Sequence, residues 1–245
     1  MDADYRGTLD GRFDRYETRS VFLNQQITNH PITNSFLLRL VSMLIRLLAV
    51  LLLSTITLAQ DALHVERTVT EHTLHSASDP TITLEVPSSF EYAGGQAFDI
   101  FHVAAAEQHL FVEPGPNRSI KRFYWFQFEH YYPSNQHTYD YSGIKQQPVQ
   151  IGPLAFMADA RVADRYFTSD PRPGSDSEAA LRLLQQKGYS TEGKYVRVRM
   201  FHLPDDSNRK ELMIIYGEQL APGANEDQAK TVATDHSIKG LKAFR

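Results

Sequence analysis

Eleven consecutive residues, RFYWFQFEHYY at 122–132, hold the densest chemistry in this chain. On a β-strand, successive side chains point to opposite faces. Tyr124, Phe126, Phe128, His130 and Tyr132 then share one face, and Phe123, Trp125, Gln127, Glu129 and Tyr131 share the other. The second face sets two large aromatics beside an amide and a carboxylate. Apolar walls with a few convergent polar groups are what a small-molecule pocket requires. Residues 195–203 (YVRVRMFHL) alternate Val196, Val198 and Met200 against Arg197 and Arg199. Those two guanidinium groups would pair with Glu129 or receive an anionic ligand. The candidate ligand-binding set is therefore Phe123, Trp125, Gln127, Glu129, Arg197 and Arg199. A purely structural reading competes with it, because strands favour aromatics and a sheet face often carries Gln, Glu and Arg into water as weak cross-strand pairs.

Other chemical signals are thin. S-x-x-K occurs at Ser142–Lys145 and again at Ser207–Lys210, which shows how little that spacing excludes; G-x-S-x-G, G-x-G-x-x-G and the P-loop are absent. Glu129 and His130 are neighbours on a strand and face opposite ways, so they make no acid–base pair. Glu107 and Glu113 flank a short strand pattern, but no second carboxylate is placed to complete a glycosidase pair. The ten histidines are scattered, and His72 and His75 would point to opposite faces of a strand. No metal site and no cofactor are expected. With no cysteine in the chain, thiol nucleophiles, thiolate metal sites and a disulfide scaffold are excluded.

The elements that must position these residues are mostly strands. Valine- and threonine-rich residues 64–73, alternating residues 81–86, and residues 97–104, 108–113 and 119–132 follow one another between turn signals. Gly94-Gly95 reads as one of those turns. Further strands fit 195–203 and 211–217, and 148–157 reads as strand before an ambiguous stretch to 167. One helix stands out at about 176–187. Ser175 to Glu178 has the capping-box pattern, and Gly188 sits where a left-handed terminator belongs. The expected fold is α+β: a largely antiparallel sheet of about six to eight strands with one main helix on one face. The uniformly aromatic Tyr124 face suits the position under that helix.

Residues 43–59, MLIRLLAVLLLSTITLA, read as a secretory signal peptide. Thr57 and Ala59 occupy the two positions that a signal peptidase reads, so the cut falls between Ala59 and Gln60. Residues 1–42 then read as a gene-model extension or a disordered leader, 60–221 as a single domain, and 222–245 as a tail with short helices, for example 235–244. A membrane anchor over 36–58 is the alternative. It would place Arg39 and Arg46 in the span, at roughly 2.5–3.5 kcal/mol each near the centre. Residues 60–245 keep 19 of the 25 basic and 24 of the 29 acidic side chains, a net of −5. That balance argues against nucleic acid as the partner.

The leading expectation is a periplasmic or secreted, non-catalytic domain that binds a small molecule or a partner protein of the envelope, touching a membrane only if the signal stays uncleaved. A hydrolase or lyase of the envelope, with Glu129 or a histidine as general base, is the first alternative. A structural module that offers a sheet edge or residues 235–245 to an envelope complex is the second.

Overall fold

The computed structural model describes residues 63–144, 148–163 and 171–245. Internal contacts divide the chain into Met1–Ala59 and Gln60–Arg245. The signal segment and its proposed cleavage point at Ala59 and Gln60 lie outside the described residues, as does the end of the ambiguous stretch at 164–167.

Among the described residues, eleven strands and two α-helices follow in chain order: β1 (Thr68–Thr70), β2 (Thr73–Ser76), β3 (Ile82–Glu85), β4 (Glu91–Ile100), β5 (Ala104–Pro114), β6 (Ile120–Tyr131), β7 (Val149–Ile151), β8 (Leu154–Ala163), α1 (Asp176–Gln186), β9 (Tyr195–His202), β10 (Lys210–Gln219), α2 (Glu226–Lys239) and β11 (Lys242–Phe244). The fold is α+β. Seven strands form an antiparallel sheet in the order β4-β5-β6-β10-β9-β8-β7, and four form a second sheet in the order β1-β2-β3-β11. Two runs of strands that each pair antiparallel with the next in sequence, β4-β5-β6 and β7-β8-β9-β10, therefore meet where β6 pairs with β10, and α1 lies in the connection from β8 to β9.

The large sheet is covered on both faces. Phe111, Tyr124, Phe126 and Phe128 pack with Leu74, Ile82 and Leu84 of the small sheet and with Ala233 of α2. Leu110, Phe123, Trp125 and Ile215 pack on the other face with Ala180, Leu183 and Leu184 of α1. The helix expected over the Tyr124 face thus lies over the Trp125 face. The reason is one of area. The Tyr124 face is apolar along its length and needs a broad cover, which the small sheet and α2 supply together. Helix α1 offers a stripe only two turns long, and at 11 residues it spans about 16 Å. Seven strands span about 29 Å across the ladder. So α1 cannot roof the whole face, and the polar residues beyond it are left beside a cavity.

Several boundaries differ from the sequence reading. Residues 64–73 are two strands broken at Glu71, whose φ is 54°, not one. Gly94-Gly95 is no turn. It lies inside β4, where the pairing with β5 shifts register between Tyr92 and Gly94. A β-carbon at Gly94 would stand 3.2 Å from Leu183 Cδ1, so the bare backbone is what lets α1 approach this strand. Residues 149–163 form a hairpin around Gly152 and continue as strand instead of turning helical. Near the C-terminus, helix occupies Glu226–Lys239, and Lys242–Phe244 is a strand that pairs with β3. Helix α1 begins as its cap predicts: Ser175 Oγ accepts from the Glu178 amide at 3.2 Å. The Glu178 carboxylate reaches one residue further back, to the Gly174 amide at 2.7 Å. At the other end Gly188 takes φ 76°.

Candidate functional site

Beyond the end of α1, on the same face of the large sheet, lies an open pocket of about 410 Å³. Its floor comes from β6, β10, β9 and β8, and residues 139–144 form one wall. That wall belongs to the loop after β6, whose Tyr141 and Ile144 pack onto the α1-side core. The volume falls within the usual range of ligand pockets, about 300–1,000 Å³.

Four carboxyl side chains line this space, Glu129, Asp140, Asp159 and Glu211. Glu129 on β6 and Glu211 on β10 are direct cross-strand partners, and both line the pocket. Like charges at such a position destabilise a sheet. Glu129 accepts hydrogen bonds from Gln127 Nε2 and from the Tyr139 hydroxyl, the latter at 3.0 Å. Gln127 Oε1 in turn accepts from Trp125 Nε1 at 2.8 Å. The indole therefore fixes the orientation of the amide, and the amide aims its donor at Glu129. Glu211 accepts from the Tyr141 hydroxyl. The Tyr139 ring stacks on Tyr131 at 4.5 Å, and the Tyr141 ring stacks on Phe201 at 4.2 Å.

Burial pushes the Glu211 carboxyl up to about 8, with the Glu129 charge adding to the effect against the opposing Tyr141 hydrogen bond and Arg199 charge. Glu129 is also raised, chiefly by burial, although Gln127 and Tyr139 favour its ionised form. At neutral pH Glu211 therefore keeps its proton, and the two carboxyls lose their protons as a coupled pair. Asp176, at the first turn of α1, raises both groups further.

The opposite side of the pocket is basic. Arg199 grips Asp159 through two parallel bonds, Nε to Oδ1 at 2.9 Å and Nη2 to Oδ2 at 2.6 Å. Its guanidinium lies 5.1 Å above the centre of the Phe201 ring. Arg161 Nε stands 3.2 Å from the same carboxylate. Burial alone would raise Asp159, but the Arg199 bonds and the charges of Arg199, Arg161 and Arg197 outweigh it and lower its pKa.

Of the six residues singled out from sequence, Glu129 and Arg199 line the pocket. Gln127 and Trp125 stand behind Glu129 and orient it. Phe123 belongs to the core, edge-on to Tyr195 at 6.0 Å. Arg197 pairs in register with Arg161 and Gly217 and does not line the pocket. The expected pairing of arginine with Glu129 is replaced by the Arg199–Asp159 pair. Glu211, a carboxyl the sequence reading did not single out, stands opposite Glu129. Sequence reasoning missed Tyr139, Tyr141, Asp159 and Glu211. A lone Glu opening the apolar strand ELMIIYG was the one available sign of the last.

A second polar cluster lies on the other face of the large sheet. Glu107, only 4 % exposed, accepts from the backbone amides of Glu66 and Arg67 at 3.0 and 2.9 Å and from Arg67 Nη1 at 2.9 Å. His109 Nε2 lies 2.7 Å from it, and His109 Nδ1 lies 2.9 Å from the Tyr92 hydroxyl. The Arg67 guanidinium also covers the Phe128 ring at 4.2 Å. Burial works to raise the Glu107 pKa, but the four donors together bring it down to about 2. A carboxyl depressed in this way stabilises the fold above its unfolded value near 4.5, and the contribution disappears as pH falls toward 2. Glu107→Gln should cost roughly 2 kcal/mol at pH 7 and lose that cost near pH 2. Urea unfolding at both pH values checks this; an equal cost at both would refute the assignment.

Among the described residues, no group of three or more His, Asp and Glu side chains is close enough to hold a metal ion, and no helix is long and apolar enough to cross a membrane. Compared with known protein families, curated proteins and solved structures, the chain matches none.

Proposed function

We propose that this protein is an exported domain that binds a small molecule in the pocket between Glu129 and Glu211. One observation carries the reading: a buried carboxyl, Glu211, and a half-buried one, Glu129, meet across adjacent strands of a concave, aromatic-walled site. Such an arrangement weakens the fold, and perturbed carboxyls in a cleft mark functional sites more often than structural ones. Export rests on residues 43–59 and agrees with a chain that needs no cysteine to hold its fold. Binding without turnover is favoured because the sequence carries no nucleophile motif.

Gly143 provides the test. It lines the pocket, and a β-carbon there would meet nothing within 4 Å. Gly143→Trp should leave stability within about 0.5 kcal/mol while its ring blocks the entrance. Hits from a fragment library, scored by thermal shift on the purified protein, should weaken at least about tenfold in this variant. Unchanged affinities, or a library with no hits, would refute the pocket.

An envelope hydrolase or lyase is the second reading. It is favoured by the Tyr139 hydroxyl 3.0 Å from Glu129 and by a neighbouring carboxyl that retains its proton at neutral pH. Groups pushed apart in this way suit a base and an acid. Recovery of a bound ligand unchanged after prolonged incubation excludes this reading; recovery of a product establishes it.

A further inference from the structure

The pocket has two ends of opposite charge. At one end Glu129 and Glu211 carry negative charge, and every hydrogen bond described there ends on a carboxylate: Gln127 and Tyr139 donate to Glu129, and Tyr141 donates to Glu211. The tyrosine and amide donors are spent, and apart from the one proton that Glu211 retains at neutral pH the carboxyl oxygens are left as acceptors. A ligand group that brings protons of its own fits this end, and a cation does more than a hydroxyl because it draws off the Glu211 proton and lets both carboxyls ionise around it. The outer ring faces of Tyr139 and Tyr141, the ones turned away from Tyr131 and Phe201, suit an ammonium. At the other end Arg199 and Arg161 share the single carboxylate of Asp159, with Arg197 in register beside Arg161. The charge there is net positive, and Arg161 is 65 % exposed, open to a ligand anion. Along β10, four residues separate Glu211 from Ile215, the register partner of Arg199. That is about 13 Å of strand, shortened by the Arg199 side chain lying back over Phe201.

We propose that the ligand is a zwitterion: a small molecule whose ammonium sits between Glu129 and Glu211 and whose carboxylate, or equivalent anion, meets Arg161 and Arg199. This assignment rests on the pocket being a binding site at all. A matched set of probes tests it on the purified protein by calorimetry: 6-aminohexanoate and 4-aminobutyrate against hexylamine and hexanoate. One of the two zwitterions should bind at least about tenfold tighter than either singly charged probe. Replacing Glu129 and Glu211 together by Gln should reduce its affinity to that of hexanoate, and Arg161→Ala should weaken it toward that of hexylamine, while hexylamine binding is indifferent to Arg161→Ala. Hexylamine binding as tightly as the zwitterions would overturn the proposal. So would the absence of saturable binding by any of the four. In either case the pocket itself survives if fragment hits remain sensitive to Gly143→Trp, and it fails with the proposal if they do not.

Discussion

Glu211→Gln makes the protein more stable in alkali, with the gain growing as pH rises from about 5 to about 8.5. In the folded chain Glu211 keeps its proton up to about 8; in the unfolded chain it loses it near 4.5. Between these values the folded state holds more protons, so stability falls as pH rises. Across that interval the cost is on the order of 4 kcal/mol. The groups that set it come from every neighbouring element: Glu129 across the strand pair, Tyr141 from the loop wall, Arg199 from β9 and Asp176 from α1. The amide of a glutamine still offers an oxygen to the Tyr141 hydroxyl but cannot ionise. Chemical denaturation at pH 5, 7 and 8.5 should show a falling series for the parent protein and a much flatter one for the variant. Superimposable series would mean that Glu211 titrates as an ordinary carboxyl, and the account of the pair would collapse.

Gly217→Ala should cost at least about 3 kcal/mol, at the upper end of overpacking substitutions. Gly217 lies in β10 directly opposite Phe123 of β6, and a β-carbon there would stand 2.0 Å from Phe123 Cε1. The ring has nowhere to go. It is fully buried and set edge-on to Tyr195, whose hydroxyl is held by the Ile120 carbonyl at 2.8 Å. Phe123→Leu trims the obstruction, so the double variant should be less unstable than the two single costs together predict. A double-mutant cycle measures that coupling. An alanine variant that melts with the parent would show that the strand shifts freely, and would remove the reason given for a glycine in an otherwise apolar strand.

The main sheet and α1 were legible because their signals are local. Period-two alternation in residues 119–132 and 195–203, and Ser175 with Glu178 and Gly188 around α1, are written within a few residues of where they act. The second sheet was legible only in part: strand was read at 81–86, which holds β3, and over 64–73, but nothing marked these strands as a separate sheet closed by β11. Its strands are three or four residues long, and β11 joins β3 across more than 150 residues of chain, a pairing no local pattern encodes. The candidate site divides in the same way. Glu129 and Arg199 were visible through alternation on their own strands. Glu211 was not, because its importance depends on which strand lies beside β6, and Tyr139 and Tyr141 reach the site from a loop whose path has no period. The assignment of α1 to the wrong face came from counting aromatic residues when the deciding quantity was how much area each cover could hide.

The Glu107 clamp has a mechanical side. Glu107 stands on β5, one strand in from the border of the large sheet, and grips the chain at Glu66 and Arg67. Tension arriving from upstream is thus delivered to the interior and not to a fraying border. It must first rupture a desolvated ion pair and the main-chain bonds around it. Any pull on the chain ahead of residue 66 would load a bolted joint before it could peel a strand away.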